Sequence, residues 1–220
     1  MQKYFALNDV KTKDRSIMIH RLYERLLEVQ IARNNLPGCV TVVLGSGDLN
    51  DRGLKHLRDL LEWSESLNLR SLILYVNDDP PALSQKIAAI LGAAPAEISL
   101  HTIEGVQHIG SGGRVKMAVS LGYGGKREVT EAFREILKKV ETGCLNPEEI
   151  DEKAIESYLR FRQRPDLVIR AGGKQLSDFM IWQAAYSELY FTDVNWQRLR
   201  KIDFLRAIRD CQQRERRFGR

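Results

Sequence analysis

The stretch RPDLVIRAGGKQLSDFMIWQAAYSELYFTDVNW, residues 164–196, decides the fold class. Its apolar run Leu167 to Ile169 is a short buried-type strand that ends in Arg170 and the small residues Ala171, Gly172 and Gly173. A helix carrying Trp182, Gln183 and Tyr186 is expected next, and Glu188 stands just before a second short strand at Leu189 to Phe191. Cations, small residues and backbone N–H groups gathered at the carboxyl end of a strand are how an α/β fold builds an anion site. The chain closes with RERRFGR, residues 214–220.

Upstream, strand and helix patterns alternate. Ile17 to Asn34 has apolar residues at Ile19, Leu22, Leu26, Leu27, Val29 and Ile31, which predicts a helix with one apolar stripe that packs on the body or lies on a membrane surface, its acidic residues favouring packing. Strands are predicted at Val40 to Leu44, Ser71 to Val76, Ile98 to Ile103 and Val115 to Leu121, and helices at Asp51 to Leu67, Pro80 to Leu91 and Arg127 to Val140. Gly105 to Gly113, with four glycines, is expected to be a loop. Asn146-Pro147 is an N-cap and proline start for another helix, and a last helix is expected from Asp203. The alternation predicts an α/β fold: one domain over residues 1–220, with a mostly parallel central sheet flanked by helices. Residues 1–36 form an N-terminal helical segment in this scheme, and residues 198–220 a basic C-terminal helix and tail.

The bulk properties exclude several classes. A hydrophobic fraction of 43% with 29% charged residues suits a globular domain, and no apolar run approaches the length of a membrane span. Cys39, Cys144 and Cys211 are scattered and odd in number, which suggests neither a disulfide framework nor a zinc site. With no signal-peptide core at the start, these features point to the cytoplasm. The net charge of +5 is concentrated late: nine Arg or Lys against three acidic residues between Arg198 and Arg220. No nucleic-acid-binding signature accompanies that charge, so nucleic acid is not an expected partner. A diphosphate or an anionic membrane surface, met peripherally, remains.

Arg170, Ser177 and Arg217 supply two guanidinium forks and a hydroxyl, which suit a diphosphate. Glu188 can hold magnesium by one carboxylate, with diphosphate and water filling the other positions. The same residues also suit a structural ion-pair network, and the residues alone leave both readings open.

The segment SELYFTDVNW (187–196) and the terminal RERRFG (214–219) closely resemble the C-terminal half of the cis-prenyltransferases, the undecaprenyl diphosphate synthase family. The resemblance runs from roughly Val115 to Arg220. It implies that Arg170 and Ser177 match isopentenyl diphosphate ligands and Glu188 a carboxylate near magnesium, which in this chain are either structural remnants or groups that still bind a diphosphate. It also implies that Arg217 and Gly219 form an RxG element reaching across a dimer interface into the neighbour's active site. Gly122-Tyr123-Gly124-Gly125-Lys126 looks like the family's NYGGR, altered at both ends. Lys174-Gln175-Leu176-Ser177 is one residue short and lacks the family's arginine two positions before the serine.

The first half departs further. Where the family's first strand opens into D-G-N-x-R-W-A, this chain has Gly45-Ser46-Gly47-Asp48-Leu49-Asn50-Asp51. Where it has S-x-E-N-W after the second strand, this chain has Asn77-Asp78-Asp79-Pro80-Pro81. Asp48 and Asp51 are expected to serve as helix-capping residues rather than as replacements for the missing metal ligand. The resemblance therefore suggests an accessory subunit of the Nogo-B receptor type, inactive alone, in a heterodimer or heterotetramer with a homologous catalytic cis-prenyltransferase. The partner would hold most of the magnesium, and Arg217 and Gly219 would complete its isopentenyl diphosphate site. The segment Phe179 to Val194 would form the interface, and the product would be a long polyprenyl diphosphate, precursor of a glycosyl carrier lipid. The alternative is a self-sufficient homodimeric prenyl-diphosphate-using transferase with altered chemistry.

Overall fold

Short runs of β-branched and apolar residues form the centre of a seven-stranded sheet. The computed structural model describes residues 18–80, 82–173 and 178–214 of the chain. Strands β1 (Cys39–Leu44), β2 (Ser71–Val76), β3 (Glu97–His101), β4 (Val106–Ile109), β5 (Lys116–Leu121), β6 (Leu167–Ala171) and β7 (Glu188–Thr192) lie in the order β4-β3-β5-β2-β1-β6-β7. All pairs are parallel except β3 with β4. All six residues of β1 are buried, as a central strand covered on both faces must be.

The helices are α1 (18–32), α2 (Asp51–Ser66), α3 (Leu83–Leu91), α4 (Gly125–Glu141), α5 (Glu152–Tyr158) and α6 (Lys201–Gln213). One sheet face, with Val40, Val42, Leu44, Leu72 and Leu74, packs against α1, α2, α3 and α6 through residues such as Leu27, Leu57, Ile87 and Leu205. The other face, with Val43, Ile73, Tyr75 and Val168, packs against Tyr123, Phe161, Phe179 and Met180. The predicted α/β class with a mostly parallel sheet is the one observed. Among the described residues no helix is long and apolar enough to cross a membrane.

Four local expectations need correction. The glycine-rich segment 105–113 holds β4, an antiparallel edge strand entered and left through Gly105 (φ 154) and Gly110 (φ 87). Its exposed residues hid the strand pattern. Asn146 begins only a 3-10 turn at Pro147–Glu149, and α5 starts later, where the Asp151 carboxylate accepts from the Ala154 N–H at 2.7 Å. The predicted helix carrying Trp182, Gln183 and Tyr186 is a run of turns over 181–186. Met180 has a positive φ of 28° with its side chain buried beside Phe179, and that geometry stops an α-helix from propagating. Finally, α1 has two apolar faces: Leu27 and Ile31 pack inward, whereas Ile19, Leu22, Leu26 and Val29 point outward.

One buried group on the second face gives the fold a pH dependence. His101 is 9% exposed, its Nε2 lies 2.9 Å from Ser99 Oγ, and its ring stacks near Phe161 at a centroid distance of 4.4 Å. Burial first, then the charges of Arg160 and His108, push its pKa down to about 4. The unfolded chain takes up this proton near pH 6.5 and the folded chain does not, so stability present above pH 6.5 is lost as pH falls towards 4. The expected loss is about 2–3 kcal/mol. Urea denaturation at pH 7 and pH 4.5 should show it, and His101→Phe should flatten the difference. An equal pH slope in that variant would refute the assignment.

Candidate functional site

The carboxyl ends of β5, β2, β1 and β6 lie side by side, and four turns rise from them: Gly45 to Asp48, Asn77 to Pro80, Gly122 to Gly124, and Gly172-Gly173. Arg170, in register with Val43 of β1 and Phe191 of β7, stands among them. Its Nη1 donates to the Val43 carbonyl at 3.0 Å, while its buried Nε has no partner among the described residues. A buried guanidinium N–H without an acceptor is costly, and a diphosphate oxygen is the kind of acceptor it suits.

The glycines beside it have separate reasons. Gly172 has φ 67°, and a Cβ there would lie 2.8 Å from Asn195 Oδ1. A Cβ at Gly173 would meet the Arg170 guanidinium at 3.4 Å, so glycine keeps room beside the charge. Ser177 lies outside the described residues.

The turn after β1 is held from below by the C-terminal segment. Trp196 is fully buried and donates its Nε1–H to the Gly53 carbonyl at 2.8 Å, and Gln197 Nε2 donates to the Gly47 carbonyl at 3.2 Å. A Cβ at Gly53 would clash with the Asp48 carbonyl, so α2 can begin only this close to the turn with glycine there. Asp48 Oδ2 accepts from the Gly45 N–H at 2.9 Å, Ser46 Oγ donates to Asp78 Oδ2 at 3.0 Å, and Asn50 Oδ1 caps α2 through Arg52 and Gly53. Against expectation neither aspartate is a helix N-cap: Asp48 closes the 3-10 turn Ser46–Asp48, and Asp51 is the first residue of α2, whose N-cap is Asn50. Burial, with a contribution from Glu104, pushes Asp79 above the usual carboxylate range.

A carboxylate at position 45 would not be excluded by packing, because a Cβ there meets only Asp48 Oδ2 at 3.7 Å. The chain nevertheless has glycine, and the nearby Asp48 and Asp78 carboxylates already accept hydrogen bonds. Among the described residues no three His, Cys, Asp or Glu side chains group as a metal site. This donor set does not fit the magnesium ion that the resemblance implies.

A second anion position is filled by the protein itself. At the N-terminus of α4, Asp178 Oδ1 accepts from the Lys126 N–H at 2.7 Å, and the Asp178 carbonyl accepts from Gly125 N–H at 3.2 Å and from the Tyr75 hydroxyl. Helix N-termini of this kind attract phosphate, but here a side-chain carboxylate takes the place. Sequence reasoning missed Asp178; the only signal was an acidic residue following Ser177. The glycines of Gly122-Tyr123-Gly124-Gly125-Lys126 serve this close packing, since a Cβ at Gly124 would fall 2.5 Å from Asp178 Oδ2. Gln183 is equally structural: its Nε2 donates to Glu128 Oε2 at 3.0 Å and to the Phe161 carbonyl at 2.8 Å.

Glu188 is not brought to Arg170 within this chain. It opens β7 opposite Leu167, whereas Arg170 lies three residues further along β6, about 10 Å up the sheet. Glu188 Oε2 is 3.2 Å from Arg214 Nη1, which also donates to the Leu189 carbonyl at 2.9 Å. Arg217 and Gly219 lie outside the described residues, but the tail that carries them leaves α6 at Arg214, beside Glu188 and at the end of the ladder away from Arg170. A surface cavity of about 790 Å³ lined by Leu36, Arg70, Arg114 and Lys116 lies at the amino ends of the strands and contains none of these residues.

Comparison with known proteins agrees with this architecture. Residues 93–219 match the family described as "Putative undecaprenyl diphosphate synthase". A tritrans,polycis-undecaprenyl-diphosphate synthase (geranylgeranyl-diphosphate specific) of Thermococcus kodakarensis is 30% identical over 248 positions, covering 92% of this chain and 94% of that protein. The enzyme of the same name from Methanopyrus kandleri is 33% identical over 256 positions, covering 92% of each. The Thermococcus alignment takes in about 202 of the 220 residues, so some 46 of its 248 positions have no counterpart here. The crystal structure of lavandulyl diphosphate synthase from Lavandula x intermedia, in complex with dimethylallyl diphosphate, superposes with a TM-score of 0.67 at 22% identity. That match covers 84% of this chain and 99% of the other.

Proposed function

Because the chain belongs to the undecaprenyl diphosphate synthase family, the cis-prenyltransferases, we propose that it is a prenyl-diphosphate-using transferase working as a dimer of two copies, with chemistry altered from the family's. Curated relatives aligned over nine-tenths of the chain are named as synthases, which favours an enzyme in its own right over an accessory role. The observation that carries the substrate class is Arg170: a half-buried arginine at the carboxyl ends of the strands, its buried Nε without an acceptor among the described residues, beside Gly173.

In this reading Arg170 and Ser177 bind isopentenyl diphosphate. Arg217 and the Gly219 N–H of the second copy complete the cradle and stabilise the charge there as the allylic diphosphate departs. The new carbon–carbon bond forms between the isopentenyl alkene and the allylic carbon, the allylic diphosphate leaves, and a proton is lost from the isopentenyl unit. The departure of the tail at Arg214, away from this chain's own Arg170, supports donation across a dimer.

One observation favours the accessory-subunit reading: the β1 turn has glycine at position 45 and has its nearby carboxylates hydrogen-bonded, which leaves a conventional allylic site incomplete. Incorporation of labelled isopentenyl diphosphate onto dimethylallyl and farnesyl diphosphate separates the two. The chain is assayed alone, beside a motif-complete homologue from the same cell, and mixed with it. Turnover by the chain alone supports the self-sufficient enzyme. Stimulation only in the mixture makes it an accessory subunit, and no effect in any arm sinks both.

A further inference from the structure

We propose that the outward face of α1 is a docking surface for an anionic lipid bilayer. Successive helical residues are rotated by about 100°, and on this wheel Leu27, Ile31 and Tyr23 share the face packed on the body. The opposite side carries Met18, Ile19, Leu22, Leu26 and Val29, which are 51–67% exposed. Five large apolar side chains on three turns of one helix form a continuous patch rather than scattered exposure.

The charges on α1 are sorted as sharply as its apolar residues. Its two acidic residues turn towards the body: Glu28 Oε1 pairs with Lys201 Nζ at 2.6 Å, and Glu24 lies close enough to Arg200 to act on its charge. Arg21 and Arg25, which flank the apolar stripe, and Arg33, which continues it just beyond the helix, are exposed, and none is ion-paired to another described residue. The outward face therefore offers apolar and cationic groups, with the exposed Gln30 beside them and Glu28 beyond its edge next to Arg21, the pattern of a helix lying in a membrane interface. Residues 1–17 add Lys3, Lys11, Lys13 and Arg15 against Asp9 and Asp14 in sequence.

Charge also decides against the other obvious occupant. Ile19, Leu22, Leu26 and Val29 follow the 3-4-3 spacing of a coiled-coil seam, but Arg33 continues that seam and Arg25 flanks it. A second copy would bring arginine to arginine with no acidic residue on the face to offset it. Phospholipid headgroups supply the missing negative charge.

The test is flotation of the full chain with phosphatidylcholine vesicles, with and without phosphatidylglycerol. Binding is expected with the anionic vesicles, falling as salt rises. Leu22→Glu combined with Leu26→Glu should reduce it about tenfold or more. Both residues are exposed, so thermal unfolding of the variant should match the wild type. Absence of wild-type flotation on anionic vesicles, or unchanged binding by the double variant, would overturn the proposal. So would a shift of the double variant to a smaller oligomer in light scattering without any lipid binding, which would give the face to a second copy.

Discussion

Arg170→Ala is expected to weaken binding of isopentenyl diphosphate by roughly a hundredfold, since a charge-assisted hydrogen bond to a half-buried guanidinium contributes about 2–3 kcal/mol. The residue is a good probe because its structural share is separable. Among the described residues its one hydrogen bond within the fold is the 3.0 Å bond from Nη1 to the Val43 carbonyl, worth about 1 kcal/mol net. The variant should therefore fold, and thermal melting can verify that before binding is measured. Titration calorimetry with isopentenyl diphosphate gives the answer, and Arg170→Lys should recover only part of the affinity, because an ammonium cannot present the planar fork. Equal affinity in wild type and Arg170→Ala would remove the carboxyl-end turns from the substrate site altogether.

Arg217→Ala is expected to lower turnover by about a hundredfold to a thousandfold, the range for losing one donor aimed at developing charge, while leaving the dimer intact. The reason lies in where the chain puts the tail. It leaves α6 at Arg214, which is tied to Glu188 and Asp210 at the amino end of β7, across the ladder from Arg170. Light scattering checks assembly, and the steady-state assay checks kcat. A mixing experiment adds a second constraint: if donation is across the dimer, Arg170→Ala and Arg217→Ala chains should restore some turnover when combined, because each mixed dimer holds one undamaged site. Normal turnover by Arg217→Ala would end the tail-donation idea, whichever partner the chain uses.

These expectations rest on residues that local pattern made visible. The strand at Leu167–Ala171, the glycine pair and the SELYFTDVNW segment were legible because each is a short-range signal: apolar run, small residues, turn, apolar run. The capping around Asp48 was legible only in part: Asp48 closes its own turn within three residues, but the cap of α2 fell to Asn50. Asp178 was not. Its function depends on the N-terminus of α4, more than fifty residues earlier in sequence, coming within 2.7 Å of its carboxylate. The turns at 181–186 defeated a helical pattern because Phe179 and Met180 are anchored beneath Tyr75, and tertiary packing outweighed the propensity of the following residues.

For this protein the sequence by itself determined the α/β class, the family and the candidate arginines, because period, turn residues and motif spacing are properties of neighbours along the chain. Only the tertiary structure decided that Glu188 and Arg170 stand at opposite ends of one strand ladder, and that the carboxylates near Gly45 are already hydrogen-bonded. It alone showed that most of the large apolar residues of α1 face outward. Those are statements about register, partner and burial, fixed by which distant segments pack together, and no local pattern encodes them.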